Sequence, residues 1–340
     1  MNRFDISLDA IIKFFASGFF ISTSMAIVYE MLVSAVTSMA VSVAALFGVV
    51  ALALAGDLTI TLHESDDDDL PVISVPSNFR IIFALLTAFL NSFVVAALVE
   101  ELAKYLCFLM VEHPDLPDES SETAGDDAEE ALLPQQSQGI LQKSRSVSFV
   151  SRGAAITIAM VTTALGFACA ENLMYIFVYS PPGVATEVST LFARSMFPVH
   201  PLAAALQSIG VCRRDLERDS STGVGRILLP ALILHGTFDF VLMAAEAWNQ
   251  VHERHEDQGD DGTKNQFGSE VIRNESTDTA GDLTEDGLPE LIASVTIVLV
   301  GITYYVVQAR SQRRRLDELD QERCLLPTGT TKSSLYDSLE

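Results

Sequence analysis

Glu100 and Glu101 stand side by side, with Lys104 a helical turn beyond them, in a stretch otherwise apolar enough to cross a membrane. A charge at mid-bilayer costs roughly 2.5–3.5 kcal/mol on insertion scales, so a chain that keeps several has a use for them. Three further polar clusters interrupt later apolar segments: Glu171 with Asn172, His200, and His235 with Asp239. Carboxylates and imidazoles accept and donate protons, activate water and hold metal ions.

Each cluster has its own geometry. Glu100 and Lys104 are i, i+4 and share a helix face, whereas Glu101 points about 100° away. One carboxylate can pair with Lys104 while the other faces a cavity. That arrangement separates their pKa values and suits a general base beside a structural partner. A charged cap snorkelling to the interface is the plainer reading. Glu171 and Asn172 sit among Gly166, Ala168 and Ala170, small residues that permit close packing, with helix–helix hydrogen bonding as the alternative to a polar cavity. Pro198 precedes His200, where it frees a backbone carbonyl and can bend the helix. His235 and Asp239 are again i, i+4, so both can bind a metal or Asp239 can orient the imidazole. A bland hydrogen bond fits too. Because unpaired charge cannot persist in lipid, the clusters should converge on one aqueous pocket.

The elements that carry them read as membrane spans. Of 340 residues, 49% are hydrophobic, yet the net charge is −24. The acid lies in runs between apolar segments, at 64–69, 115–130, 253–261 and 278–290. This is the layout of a polytopic, all-α integral membrane bundle, multi-pass and embedded in a lipid bilayer, with no feature pointing to nucleic acid. Windows long enough to cross about 30 Å of hydrocarbon predict about seven transmembrane helices, near 10–29, 32–55, 80–110, 154–179, 187–211, 227–248 and 289–309. Tyr29–Glu30 is the one plausible turn between the first two. Cys107, Cys169, Cys212 and Cys324 show neither a disulfide framework nor a thiolate zinc pattern. The apolar run after Arg3 reads as a retained anchor rather than a cleaved signal.

Lys143, Arg145 and Arg152, then Arg213, Arg214, Arg218 and Arg226, then Arg310 and Arg313 to Arg315 flank spans and place those flanks in the cytosol. Seven spans then put the N-terminus outside, against the weak counter-signal of Arg3 and Lys13. The organisation is an N-terminal two-helix region with an acidic loop (1–79), a core (80–248) interrupted by an acidic loop (112–152), a second acidic loop (249–288), a last span (289–309) and a cytosolic tail (310–340). Both long loops have the composition of disordered chain. Asn274-Glu275-Ser276 is a glycosylation sequon on the outer side, and Tyr336-Asp337-Ser338-Leu339 has the form of a tyrosine-based sorting signal. The compartment is not legible.

Taken in order, Glu100-Glu101-x-x-Lys104, Phe167-x-x-x-Glu171-Asn172, His200 and His235-x-x-x-Asp239 resemble the PrsW family of intramembrane proteases, relatives of the CAAX prenyl endopeptidases and the ABI group. The context Leu234-His235-Gly236-Thr237-Phe238-Asp239-Phe240 and the upstream Arg194 are also similar to that family. Glu171 stands where the prenyl-protease relatives carry histidine. The resemblance covers about residues 80–248. It implies an endopeptidase acting on membrane-protein substrates. Glu100 or Glu101 would activate water with His200 or His235, and Lys104 and Asn172 would hold the carboxylates in place. His200, His235, Asp239 and Glu171 would hold a metal, with Zn2+ the candidate, or else stabilise the oxyanion. Metallo- and glutamate-type chemistry both stay open. Two other classes fit the polar clusters: a proton- or ion-coupled transporter, disfavoured by the lack of a broken-helix pair or inverted repeat, and a silent scaffold binding partners through its acidic loops.

Overall fold

An apolar run without interior proline satisfies its own backbone in hydrocarbon only as an unbroken helix. The computed structural model describes residues 6–55, 59–62, 71–111, 148–179, 188, 191–192, 195–257 and 288–325. Among them are helices α1 (Leu8–Ala55), α2 (Ser77–Met110), α3 (Phe149–Met174), α4 (Val199–Asp215), α5 (Val224–Asp257) and α6 (Leu288–Leu325). A two-stranded antiparallel ribbon, β1 (Thr59–Leu62) with β2 (Pro71–Ser74), joins α1 to α2, Thr59 facing Ser74 and Leu62 facing Pro71. Among the described residues three π turns occur: Ser17–Ser22 in α1, Asn91–Ala97 in α2, and Tyr175–Tyr179 after α3. The one in α2 ends just before Glu100. Its wider turn resets the phase of the helix where the paired carboxylates begin.

The chain is a polytopic helical membrane protein, with five described helices long and apolar enough to cross a bilayer. The expected count of about seven stands beside five among the described residues. The spans read at 10–29 and 32–55 are one continuous helix, because Tyr29–Glu30 holds no proline, glycine or capping residue to end it. In the span read at 187–211, α4 begins at Val199 among the described residues. Pro198 occupies the N-cap and Pro201 the first turn, where a missing N–H is tolerated, so the prolines start α4 rather than bend it. With 17 residues, α4 is shorter than the membrane-length helices. The readings made for the loop interiors, Asn274, Arg194 and Tyr336 lie outside the described residues.

Contacts divide the chain into two units. The first comprises Met1–Ile27, Glu100–Leu234 and Leu299–Glu340. In it α3 packs along α4 and against the start of α1. Small residues permit this: a Cβ at Gly18 would overlap the Thr163 carbonyl, and one at Gly166 the Phe15 carbonyl. Phe14, Tyr105, Met160, Val211, Ile227 and Leu316 fill the core beneath. Asp320 of α6 accepts hydrogen bonds from the Phe149 N–H (2.7 Å) and the Val150 N–H (3.3 Å), and Arg323 lies 4.3 Å over the Phe149 ring. The end of α6 thereby supplies acceptors to the first turn of α3, beside the local cap Ser148, whose Oγ accepts from the Ser151 N–H. Between α4 and α5, Asp219 accepts from Ser221 and Thr222, hydrogen bonds that hold its carboxyl below the usual carboxylate range.

The second unit comprises Val28–Val99 and His235–Val298. Here Gly236 lies under the Phe93 ring, and Phe93 stacks on Phe89 at 4.7 Å. Phe240, one turn on, meets Phe89 edge-on at 6.1 Å.

Gly166→Val is expected to destabilise the chain by about 1–3 kcal/mol, since the new side chain meets backbone that cannot rotate away. Thermal unfolding in detergent micelles measures this, with Leu165→Val, an exposed neighbour, as the control expected to melt with the wild type.

Candidate active site

The first unit gathers the paired carboxylates, a lysine, an imidazole and a third carboxylate from three helices. On α2, residues three and four positions back flank a lysine from both sides. Lys104 Nζ accordingly donates to Glu101 Oε1 at 2.5 Å and lies 3.7 Å from Glu100 Oε2. Spacing left open which glutamate pairs with the lysine, and the shorter contact is to Glu101. All three side chains are buried.

His200 is on the first turn of α4. Its Nδ1 is 2.9 Å from Lys104 Nζ and 3.6 Å from Glu100 Oε2, and its Nε2 is 2.7 Å from Glu171 Oε2 on α3. An ammonium has no lone pair to offer. Nδ1 must therefore accept from Lys104, and Nε2–H donates to Glu171. Phe167, one turn before Glu171, forms the wall of the cluster. The His200 ring meets it edge-on at 5.3 Å, and Lys104 Nζ sits 4.7 Å from its centroid. This gives the Phe-x-x-x-Glu spacing a physical meaning: one helix face presents an apolar wall and, a turn later, a proton acceptor. Asn172 is partly buried beside Glu171.

Sequence reasoning passed over Gln207. It is buried on α4, two turns after His200 and on the same face, and its Nε2 donates to Glu101 Oε2 at 2.5 Å. Glu101 thus has Lys104 on one oxygen and Gln207 on the other. The heptad spacing from His200 was the available signal. A second tie between the same helices also escaped notice: Arg214 donates to the Tyr105 hydroxyl while its guanidinium pairs with Asp215 at 2.5 and 3.0 Å.

In the second unit His235 Nε2 lies 3.2 Å from Asp239 Oδ2 across one turn of α5. His235 is buried and Asp239 partly exposed. Pro230 lies upstream inside the same helix, removing one backbone hydrogen bond a little over a turn before His235.

Residues 139–254 match the family model described as PrsW family intramembrane metalloprotease. This segment is similar to the PrsW family. It contains Glu171, Asn172, His200, His235 and Asp239, while Glu100, Glu101 and Lys104 precede it. No curated protein and no solved structure matches the chain. With its five membrane-length helices the chain is an integral, multi-pass membrane protein, and the PrsW match supports an intramembrane peptidase.

Proposed function

We propose that the chain hydrolyses peptide bonds of membrane proteins, with Glu100 as the proton acceptor for the attacking water and His200 and His235 as its imidazole partners. The observation that carries this is the state of the two glutamates. Both oxygens of Glu101 are committed, to Lys104 and to Gln207. Glu100 presents an oxygen to His200 at 3.6 Å. Glu101 is then the anchor that holds Lys104, and Glu100 is the carboxylate that works on the water.

The family is described as metalloproteases, and the donors of this chain fit such an ion. His200 can offer one ligand atom to a metal, and the family resemblance adds His235 as a second donor, leaving Glu100 to act on the water. Imidazole nitrogens are donors that zinc accepts in hydrolases. Glu100, Glu101 and Glu171 against Lys104 leave two negative charges in the first unit's cluster, a balance that favours a divalent cation. When bound, the ion would polarise the scissile carbonyl and acidify a water. Glu171 and Asp239, implied as ligands by the family resemblance, we assign instead to the other ring nitrogen of each histidine. There they fix tautomer and orientation in the manner of carboxylate–histidine–metal triads. Glu171 holds His200 Nε2–H and Asp239 holds His235 Nε2–H. Each Nδ1 is then the ligand atom. Zinc is the ion we propose.

The experiment compares new protein N-termini in membranes of cells expressing the wild type with those of cells expressing His200→Ala or His235→Ala at equal levels. A shared set of termini lost in both variants is the expected result. Identical termini in all three would overturn the peptidase reading and favour ion transport or scaffolding.

A further inference from the structure

We propose that the Lys104 ammonium is the resident cation of the Glu100–Glu101–Glu171–His200 cluster, and that Lys104 and a metal ion exclude one another at His200 Nδ1. The inference rests on the metal-binding reading above and adds a gate to it: the site loads only when Lys104 withdraws.

An imidazole nitrogen has one lone pair. Glu171 holds Nε2–H at 2.7 Å, so the lone pair of His200 is at Nδ1, and Lys104 Nζ takes it at 2.9 Å. A zinc ion would need the same lone pair at about 2.0–2.1 Å. The two cations cannot share it, and they also repel across a space from which water is largely excluded. Lys104 reaches every neighbour that a cation in this cluster would seek: Glu101 Oε1 at 2.5 Å, His200 Nδ1 at 2.9 Å and Glu100 Oε2 at 3.7 Å.

The lysine also has somewhere to go. Its ammonium is 4.7 Å from the centroid of the Phe167 ring, within range of a cation–π contact. Leaving His200 for the Glu101 carboxylate and the Phe167 face keeps it bonded to groups it already touches. Gln207 fixes the far oxygen of Glu101, so the retreat position is held by α4 itself. Loading is therefore an exchange of one cation for another at a single ring nitrogen.

The test measures zinc affinity by competition with a chromophoric chelator, using the purified full chain in detergent micelles. Wild type, Lys104→Met and the double variant Glu101→Gln/Lys104→Met are compared. Each is paired with its own His200→Ala version to subtract zinc held by other histidines and the acidic loops. The double variant keeps the net charge of the cluster and removes, together with the lysine, the carboxylate it pairs with most closely. Tighter binding there reports the released ring nitrogen rather than a change in charge or a failure to fold. The His200-dependent zinc dissociation constant is expected to fall at least tenfold in both variants. Equal constants in all three proteins would overturn the exclusion while leaving the metal site standing. No His200-dependent zinc in any of them would remove the metal-binding reading, and the gate with it.

Discussion

Glu100→Gln is expected to lower the cleavage rate by about 10²–10⁴-fold, the range that a positioned proton acceptor contributes. The change is nearly isosteric and leaves Glu101, Lys104 and Gln207 in place, so the chain should fold and melt as the wild type does. The loss should appear in kcat rather than KM, because Glu100 meets the attacking water and not the flanking segments of substrate. Purified protein in liposomes, with a substrate drawn from the lost N-termini, provides the assay. A Glu100→Gln protein that cleaves at the wild-type rate would show that the base lies elsewhere.

The opposite pattern is expected of its neighbour. Glu101→Ala removes the 2.5 Å acceptor of Lys104 and the 2.5 Å acceptor of Gln207 together. Breaking a buried ion pair from one side costs about 3–5 kcal/mol, because the surviving charge stays where it was. The unfolding temperature in detergent should fall sharply, and activity with it. Replacing the whole anchor with apolar groups, Glu101→Leu with Lys104→Met and Gln207→Leu, should recover part of the stability, since the Glu101 contacts are then removed from both sides while Glu100 and His200 lose only Lys104. An unaltered melting temperature in Glu101→Ala would show that this carboxylate anchors nothing. The two adjacent glutamates are thus separable by experiment: one change leaves a folded, inactive protein, the other an unstable one.

What was legible in the sequence follows from cost. Glu100, Glu101, Lys104, Glu171 and His200 stood out because ionisable groups are expensive in hydrocarbon, and four of them needed partners that no single helix supplies. The structure puts these five within reach of one another. Gln207 gave no comparable signal, since an amide is cheaper to bury than a charge and its partner lies 106 positions away. The i, i+4 rule places Glu100 and Lys104 on one face but does not choose the partner, since a long side chain reaches i−3 as readily and Gln207 meets Glu101. The helical class was plain from the apolar windows. The continuity of α1 was not, because hydropathy cannot distinguish a turn from a continuing helix at Tyr29–Glu30. Nor does it register that Pro198 and Pro201 begin α4 instead of kinking a longer one.

The contact between Asp320 and the first turn of α3 bears on the order in which the protein can be completed. The donors at Phe149 and Val150 are synthesised 171 and 170 residues before their acceptor. While the ribosome is still making the segment between them, α3 has only Ser148 at its start. The helix that carries Phe167 and Glu171 is secured at its N-terminal end by a late turn of α6. A nascent or truncated chain that stops at the end of the final apolar stretch would hold every residue of the cluster and still lack that fastening. Assembly of the first unit is thereby tied to the synthesis of α6.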